Sequence, residues 1–266
     1  MKQIYSHPKR KTKVVFVQLG SPSEPTTKAL RKYLRKFLGD PRVIDINPWL
    51  WKIILNCFVL PFRPQKSAKL YSRIWDGKSF PLITHTRDFT KNVSEELKKI
   101  DPEGFVEVNH AFLLSPPYVN EVYDSWEEDL KKGVGATKLL VIPMFPQYSE
   151  STIASGIDAL AKELSKRVKI PTFEVITNFH RTHAFIDNSV TQVDLKLNDL
   201  TKQGKKIDSL IITFHGMQKR RIVNKGDDYY RHCYETFCLI TKNLKNIKPA
   251  QCLMSFQSRF GSEEWI

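Results

Sequence analysis

Cysteine is scarce in this chain of 266 residues, with only Cys57, Cys233, Cys238 and Cys252. Four widely spaced thiols build no disulfide framework. Their spacing also supplies no zinc or redox pair and no four-ligand set for an iron–sulfur cluster; Cys233 and Cys238 read as apolar packing. No apolar run is long enough to span a bilayer. The basic opening MKQIYSHPKRKTK is followed by neither an apolar core nor a cleavage site, which argues against secretion. A reducing cytoplasm is the expected home. Acidic residues are the minority charge, 28 Asp plus Glu against 42 Lys plus Arg, for a net +14. That excess favours anionic partners: nucleic acid, acidic lipid or carboxylated small molecules. The basic residues are scattered, with no long basic run and no aromatic RNA-binding motif, so no nucleic acid is expected. There is no Walker loop, nucleophile elbow or HExxH. Gly133-Val134-Gly135 precedes a strand instead of following one, so it is no dinucleotide fingerprint.

Forty-one per cent of the residues are hydrophobic and sixteen are Phe. That is a folding composition, in a chain long enough for one or two domains. Val14–Leu19 is a β-branched apolar run that ends in Gly20-Ser21-Pro22, a buried strand running into a turn. Thr26 or Thr27 can cap the next helix, whose Leu30, Tyr33, Leu34, Phe37 and Leu38 recur at helical spacing until Gly39 and Pro41. The alternation continues. A helix carries Phe89, Val93, Leu97 and Ile100, and a strand covers 105–112. A helix with Val122, Trp126 and Leu130 stops at Gly133, and a strand covers 139–142. A helix with Ile153, Ile157, Leu160 and Leu164 is followed by a strand over 173–179. Beyond a break near 180 come a helix (Ile186, Val190, Val193, Leu197, Leu200), a strand over 210–214, a helix near 229–245 and a strand over 252–256. The pattern is α/β, with parallel sheets between helices. Residues 1–180 form a first lobe and 181–266 a second. Two parallel strands bury little surface, so the second lobe reads as incomplete. A homodimer, the first lobe or another partner is expected to cover it.

Segment 42–75 breaks the alternation. Its core, 48–61, is bounded by prolines, too short to cross a membrane and too apolar for a solvated loop. It reads either as a buried helix or as an exposed lip that touches a flat apolar ligand or a membrane surface. Arg63, Lys66 and Lys69 behind it suit carboxylates or lipid headgroups.

Ligands in open α/β sheets bind beyond the carboxyl ends of the strands. Four unusual sequences occupy such ends: Gly20-Ser21-Pro22, Pro143–Ser149, Phe214-His215-Gly216-Met217 and Phe256–Gly261. His215 is the sharpest single residue, an imidazole at a strand exit that can take a proton near neutral pH or ligate a metal. A structural or merely exposed histidine is the competing reading. His180 and His183 could share a helix-start face as metal ligands; one capping the helix and the other solvated is the plainer reading.

Taken in order, these segments resemble the ferrochelatases, which insert ferrous iron into a porphyrin to make haem. The resemblance is carried by Val17–Pro22, Phe37–Val43, Leu60–Pro64, Ile74-Trp75 with Ser79–Leu82, Pro146–Thr152, Phe214–Gly216, Lys225–Tyr229, and Phe256–Gly261 with Trp265. It implies two Rossmann-like, chelatase-like lobes, the second truncated, around a porphyrin cleft. In that cleft His215 accepts pyrrole protons or guides the metal. Leu19, Tyr148 and Trp265 stand at matching wall positions. Trp49, Leu60, Arg63, Ser79, Phe112, Leu113 and Ser149 complete the expected porphyrin contacts. The resemblance makes the 48–61 segment the lip of the cleft, with peripheral membrane contact as a further expectation. Iron and porphyrin are substrates; no resident cofactor or iron–sulfur cluster is expected. Two departures bear on activity. The family's glutamate facing the histidine has no counterpart among these residues. Phe112 and Leu113 stand where the family carries an Arg or Ser and a Tyr. A non-catalytic porphyrin or haem carrier or sensor is therefore the alternative reading.

Overall fold

A computed structural model describes residues 11–132, 138–259, 261 and 263–266. The stop at Gly133, the glycine pair beside it, the basic stretch before residue 11 and Phe260 lie outside these residues. The described chain divides into two compact units. One runs to Met144 and resumes over Glu150–Thr177; the other comprises Phe145–Ser149 and Asn178–Ile266.

The first unit holds a four-stranded parallel sheet in the order β2-β1-β3-β4, built from β1 (Thr12–Gln18), β2 (Val106–Phe112), β3 (Lys138–Pro143) and β4 (Thr172–Val175). β1 is the most apolar segment and lies centrally, paired with β2 from Thr12↔Val106 and with β3 from Thr12↔Lys138. Strands buried on both faces read as such continuous apolar runs. Its one charge, Lys13, is buried but lies 3.4 Å from Asp129 and 3.5 Å from Glu107. A buried ammonium needs such partners. β4 is an edge strand with three exposed residues. It stops at Val175, shorter than the 173–179 expected. Beyond it Ile176 N–H still donates to Val141 O, while Phe179 N–H turns to Pro146 O.

Helix α1 (Thr27–Leu38) is capped by Thr26, whose hydroxyl accepts from Ala29 N–H at 3.2 Å. It buries Leu30, Tyr33, Leu34 and Leu38. Helices α4 (Pro81–Ile100), α5 (Val119–Lys131) and α6 (Ser155–Leu164) complete the cover of the sheet. The main core joins Val15, Val17, Ala111, Leu139 and Val141 of the strands to Tyr123, Trp126, Leu160 and Leu164.

Segment 42–75 is helical. Asn47 caps α2 (Pro48–Ile54), a π-helical turn spans Leu55–Val59, and α3 (Leu60–Tyr71) follows. Leu55 and Leu60 are its anchors, packed with Tyr33, Leu34 and Leu38. Trp49 is 78 % exposed, and Leu50, Ile53, Phe58 and Phe62 are all more than half exposed. The buried-helix reading of this segment is therefore corrected. Only one stripe of it is core.

The second unit holds β5 (Leu210–His215) and β6 (Cys252–Gln257), paired in parallel from Leu210↔Cys252 to His215↔Gln257. Helices α7 (His183–Lys202) and α9 (Tyr229–Asn243) pack on one face through Ile186, Leu197, Ile240, Leu244, Ile247 and Cys252. The other face carries Ile211 and Leu253, both more than half exposed. A short helix between them, α8 (Lys219–Lys225), was not anticipated from the sequence. Gly226, at φ +70°, ends it.

Candidate active site

In the second unit His215 is the last residue of β5 and is exposed. Its Nδ1 lies 2.7 Å from the carbonyl oxygen of Gly216. A carbonyl only accepts, so Nδ1 carries the proton in the neutral ring, and Nε2 presents a free lone pair. That is the form needed to take a proton or bind a metal ion.

The turn after His215 is held from three sides. Gly216 N–H donates to Gln257 O at 2.6 Å, joining the ends of β5 and β6. Ile266 N–H donates to Met217 O, Lys219 N–H donates to Glu264 O, and Gln218 forms an antiparallel bridge with Trp265. Ion pairs from Lys219 to Glu264 and from Arg220 to Glu263, each 2.8 Å, fasten the same strip. Trp265 thereby lies with its ring 6.5 Å from that of His215. A Cβ on Gly216 would meet Trp265 Cε3 at 3.2 Å and Gln257 O at 3.0 Å, so the glycine is needed for this approach. The Trp265 indole N–H is buried and has no hydrogen-bond partner among the described residues. Below the strand exit, Tyr229 lies against the His215 backbone and the Cys233 thiol, and burial raises its hydroxyl pKa above the usual range. Asp227, also buried, accepts from Tyr229 N–H at 2.9 Å and starts α9.

Tyr148 and Ser149 lie in the segment 145–149 of the same unit; Tyr148 is half-buried and Ser149 buried. Tyr148 N–H donates to His232 Nδ1 at 3.2 Å, and Gln147 Nε2 donates to Thr236 Oγ1 at 3.0 Å. His232 stacks on His180, ring centroids 3.9 Å apart, and His180 Nε2 lies 2.7 Å from Glu235 Oε2. His180 is thus a buried residue hydrogen-bonded to Glu235 and neither a helix cap nor a metal ligand shared with His183, which is fully exposed. Among the described residues no cluster of three His, Cys, Asp or Glu could hold a metal ion. The pair His232 and Thr236 escaped sequence reading. The available signal was a polar residue at each of two positions, 232 and 236, where the apolar stripe of α9 continues to Ile240.

In the first unit the strand ends are also fixed by a glycine. Gly20 has φ +91°, and the amide of Ser21 donates to Ser115 Oγ at 3.3 Å. Leu113 N–H and Leu114 N–H donate to Gln18 O and Leu19 O, each at 3.0 Å. Leu19 and Leu113 therefore line one cleft of about 270 Å³, shared with Phe37, Asp40, Ser155 and Lys162. Trp49 stands on the exposed face of α2, and Arg63, half-buried on α3, sets its charge near the Tyr71 hydroxyl. Ser79 N–H donates to Asp76 Oδ1 at 2.6 Å in the turn before α4. Together with the Lys78 amide, that bond holds the Asp76 carboxyl below the usual carboxylate range. Phe112 and Leu60 present almost no surface: Phe112 is fully buried and Leu60 is 2 % exposed. Both are packing residues in this structure.

Two parallel-sheet units, with glycine-governed strand exits and an exposed histidine at one of them, define an α/β protein of the chelatase-like class. The family model described as Ferrochelatase matches residues 11–266. The chain is 38 % identical over 253 residues to the Ferrochelatase of Idiomarina loihiensis, covering 95 % of this chain and 66 % of that one. It is 35 % identical to that of Marinobacter nauticus, covering 95 % and 65 %. It is 35 % identical over 268 residues to that of Francisella tularensis subsp. tularensis, covering 99 % and 76 %. The chain belongs to the ferrochelatase family. It spans about two thirds of the length of the first two of these relatives.

Proposed function

We propose that the protein inserts ferrous iron into a porphyrin, with His215 as the base that receives a pyrrole proton. The observation that carries this reading is the place of His215, exposed at a strand exit with Nδ1 against a carbonyl oxygen. Nδ1 is committed to the Gly216 carbonyl, and the Nε2 lone pair stands exposed at the end of β5. A porphyrin gives up two N–H protons as Fe2+ takes its four nitrogens. Nε2 accepts one of them, and solvent takes the other directly or after relay through the ring. In the second unit Trp265 and Tyr148 are the apolar walls of this reading; in the first, Leu19 and Leu113 line a cleft of their own. Arg63 is a cation for a propionate. The exposed face of the 48–61 segment offers contact to a flat apolar ligand or to a lipid surface.

The test is anaerobic insertion of Fe2+ into protoporphyrin, followed by absorbance, for wild type and His215→Ala. Turnover in the wild type that falls by about 100-fold or more in the variant supports the assignment. A porphyrin that binds with a shifted Soret band and takes up no metal in either protein overturns it in favour of a tetrapyrrole carrier or sensor. Leu113, an apolar residue on the cleft in place of a polar one, is the residue that favours this second reading.

A further inference from the structure

The segment that carries Tyr148 and Ser149 is tied to α9 by a side chain whose acceptor exists only in one protonation state. Tyr148 N–H donates to His232 Nδ1. On the other side of the ring, the Arg231 guanidinium lies 3.4 Å from His232 Nε2. Backbone amides and guanidinium groups only donate. A neutral ring with the Nδ1 lone pair satisfies Tyr148. That ring carries its one proton on Nε2, facing Arg231; an imidazolium carries an N–H on Nδ1 as well, turned toward the Tyr148 amide, and the bond that held the segment is lost.

We propose that His232 is a positioning residue for the Tyr148–Ser149 wall, and that its protonation releases this wall and with it the bound tetrapyrrole. The ligand half of this inference rests on the function proposed above; the clamp itself does not.

The groups facing His232 all bear on its titration. The His180 ring stacks on it from the turn before α7, and Arg231, Asp228 and Glu235 surround it on α9. Burial first, then His180 and Arg231, hold its pKa below the usual 6.5. Asp228 and Glu235 pull the other way. The sign follows. The clamp is intact above 6.5, where the ring is neutral folded or unfolded, and is lost as pH falls through the lower folded value. Gln147 to Thr236 and Phe179 N–H to Pro146 O are among the bonds that steady the segment without titrating. Release is therefore expected to be local, with the helices of the unit still packed.

Two readouts between about pH 5 and pH 8 test this. The first is amide exchange of peptides covering 145–149, corrected for the intrinsic pH dependence and measured without ligand. The second is the dissociation constant of metal-free protoporphyrin from its Soret shift. His232→Asn places a non-titrating oxygen where Nδ1 stood, and His232→Leu removes the acceptor. If only the neutral form is competent, affinity falls by up to about tenfold per pH unit below the midpoint. Wild type is expected to lose both protection and affinity as pH falls. His232→Asn should hold both constant, and His232→Leu should be open throughout.

Protection of 145–149 in wild type that does not change with pH overturns the clamp. So does the same pH dependence surviving in His232→Asn, which needs no folded Leu variant to be read. Protection that follows the expectation, in a protein that binds no porphyrin at any pH, overturns the coupling to ligand and the tetrapyrrole reading together.

Discussion

Replacing Gly20 by Ala tests whether the first strand exit is as tightly specified as its geometry implies. The residue sits at φ +91°, and a Cβ there would lie 2.3 Å from Ser115 Oγ, 3.0 Å from Phe112 Cβ and 3.2 Å from Ser115 N. Two costs arise separately. The left-handed backbone costs a residue with a Cβ about 1–2 kcal/mol. The Ser115 hydroxyl must also swing away, which strips the buried Ser21 amide of its acceptor at 3.3 Å and costs about 1–3 kcal/mol. The sum is roughly 2–5 kcal/mol against a total stability of about 5–15 kcal/mol. At this size that is a fall in melting temperature of about 4–20 °C. Circular dichroism during heating and urea unfolding gives the number. A cycle with Ser115→Gly divides it, because removing the hydroxyl relieves the closest contact and leaves the backbone cost. The double variant is expected to be more stable than the two single losses added together by about 1 kcal/mol or more. A Gly20→Ala protein that melts within a degree of wild type would refute the steric reasoning. Strict additivity would refute the assignment of the clash to Ser115.

The thiols should separate by environment under a thiol reagent at about pH 8. Cys57 is exposed and is expected to label first, while Cys233 is buried with its pKa pushed up to about 12 and should label only after denaturation. Peptide mapping decides, and Cys233 reacting at the rate of Cys57 would contradict the packing of α9. On the lip, the combined change Trp49→Asp and Ile53→Asp removes two exposed apolar side chains. Since each such burial is worth about 1.5–3 kcal/mol, affinity for anionic vesicles in co-sedimentation should fall by at least about tenfold, with the melting temperature unchanged. Equal sedimentation of both proteins would remove lipid contact from the role of this face.

The strands were the easily read part of this chain. β1, β3 and β5 are short β-branched runs ended by glycine, proline or histidine turns, and β6 is a short apolar run; burial on one or both faces makes such runs continuous or alternating. Strand four is shorter than the 173–179 expected, although Ile176 and Phe179 are apolar. The Ile176 amide still donates to Val141 of β3, while that of Phe179 turns to Pro146, a choice made by the fold and not by local propensity. Segment 48–61 was legible as apolar and as either a buried helix or an exposed lip; composition alone does not say which side of a helix finds partners. His215 announced itself by standing at a strand exit beside a glycine. His232 and Thr236 did not, because their partners Tyr148 and Gln147 are 84 and 89 residues away. The hydrogen bonds that bury these two side chains exist only after the chain has folded back.

The bridge between Gln218 and Trp265 has a consequence for the order in which this molecule becomes competent. His215 leaves the ribosome roughly fifty residues ahead of Trp265, and at synthesis rates of about 5–20 residues per second that is an interval of about 3–10 s. During it the first sheet and the apolar helices of 48–71 are already available, while the turn after His215 has neither its indole neighbour nor the ion pairs to Glu263 and Glu264. A growing chain therefore exposes greasy surface before it has an assembled base. Until Trp265 emerges the strand exit after His215 stays open, and the timing of translation becomes one of the determinants of when this turn closes.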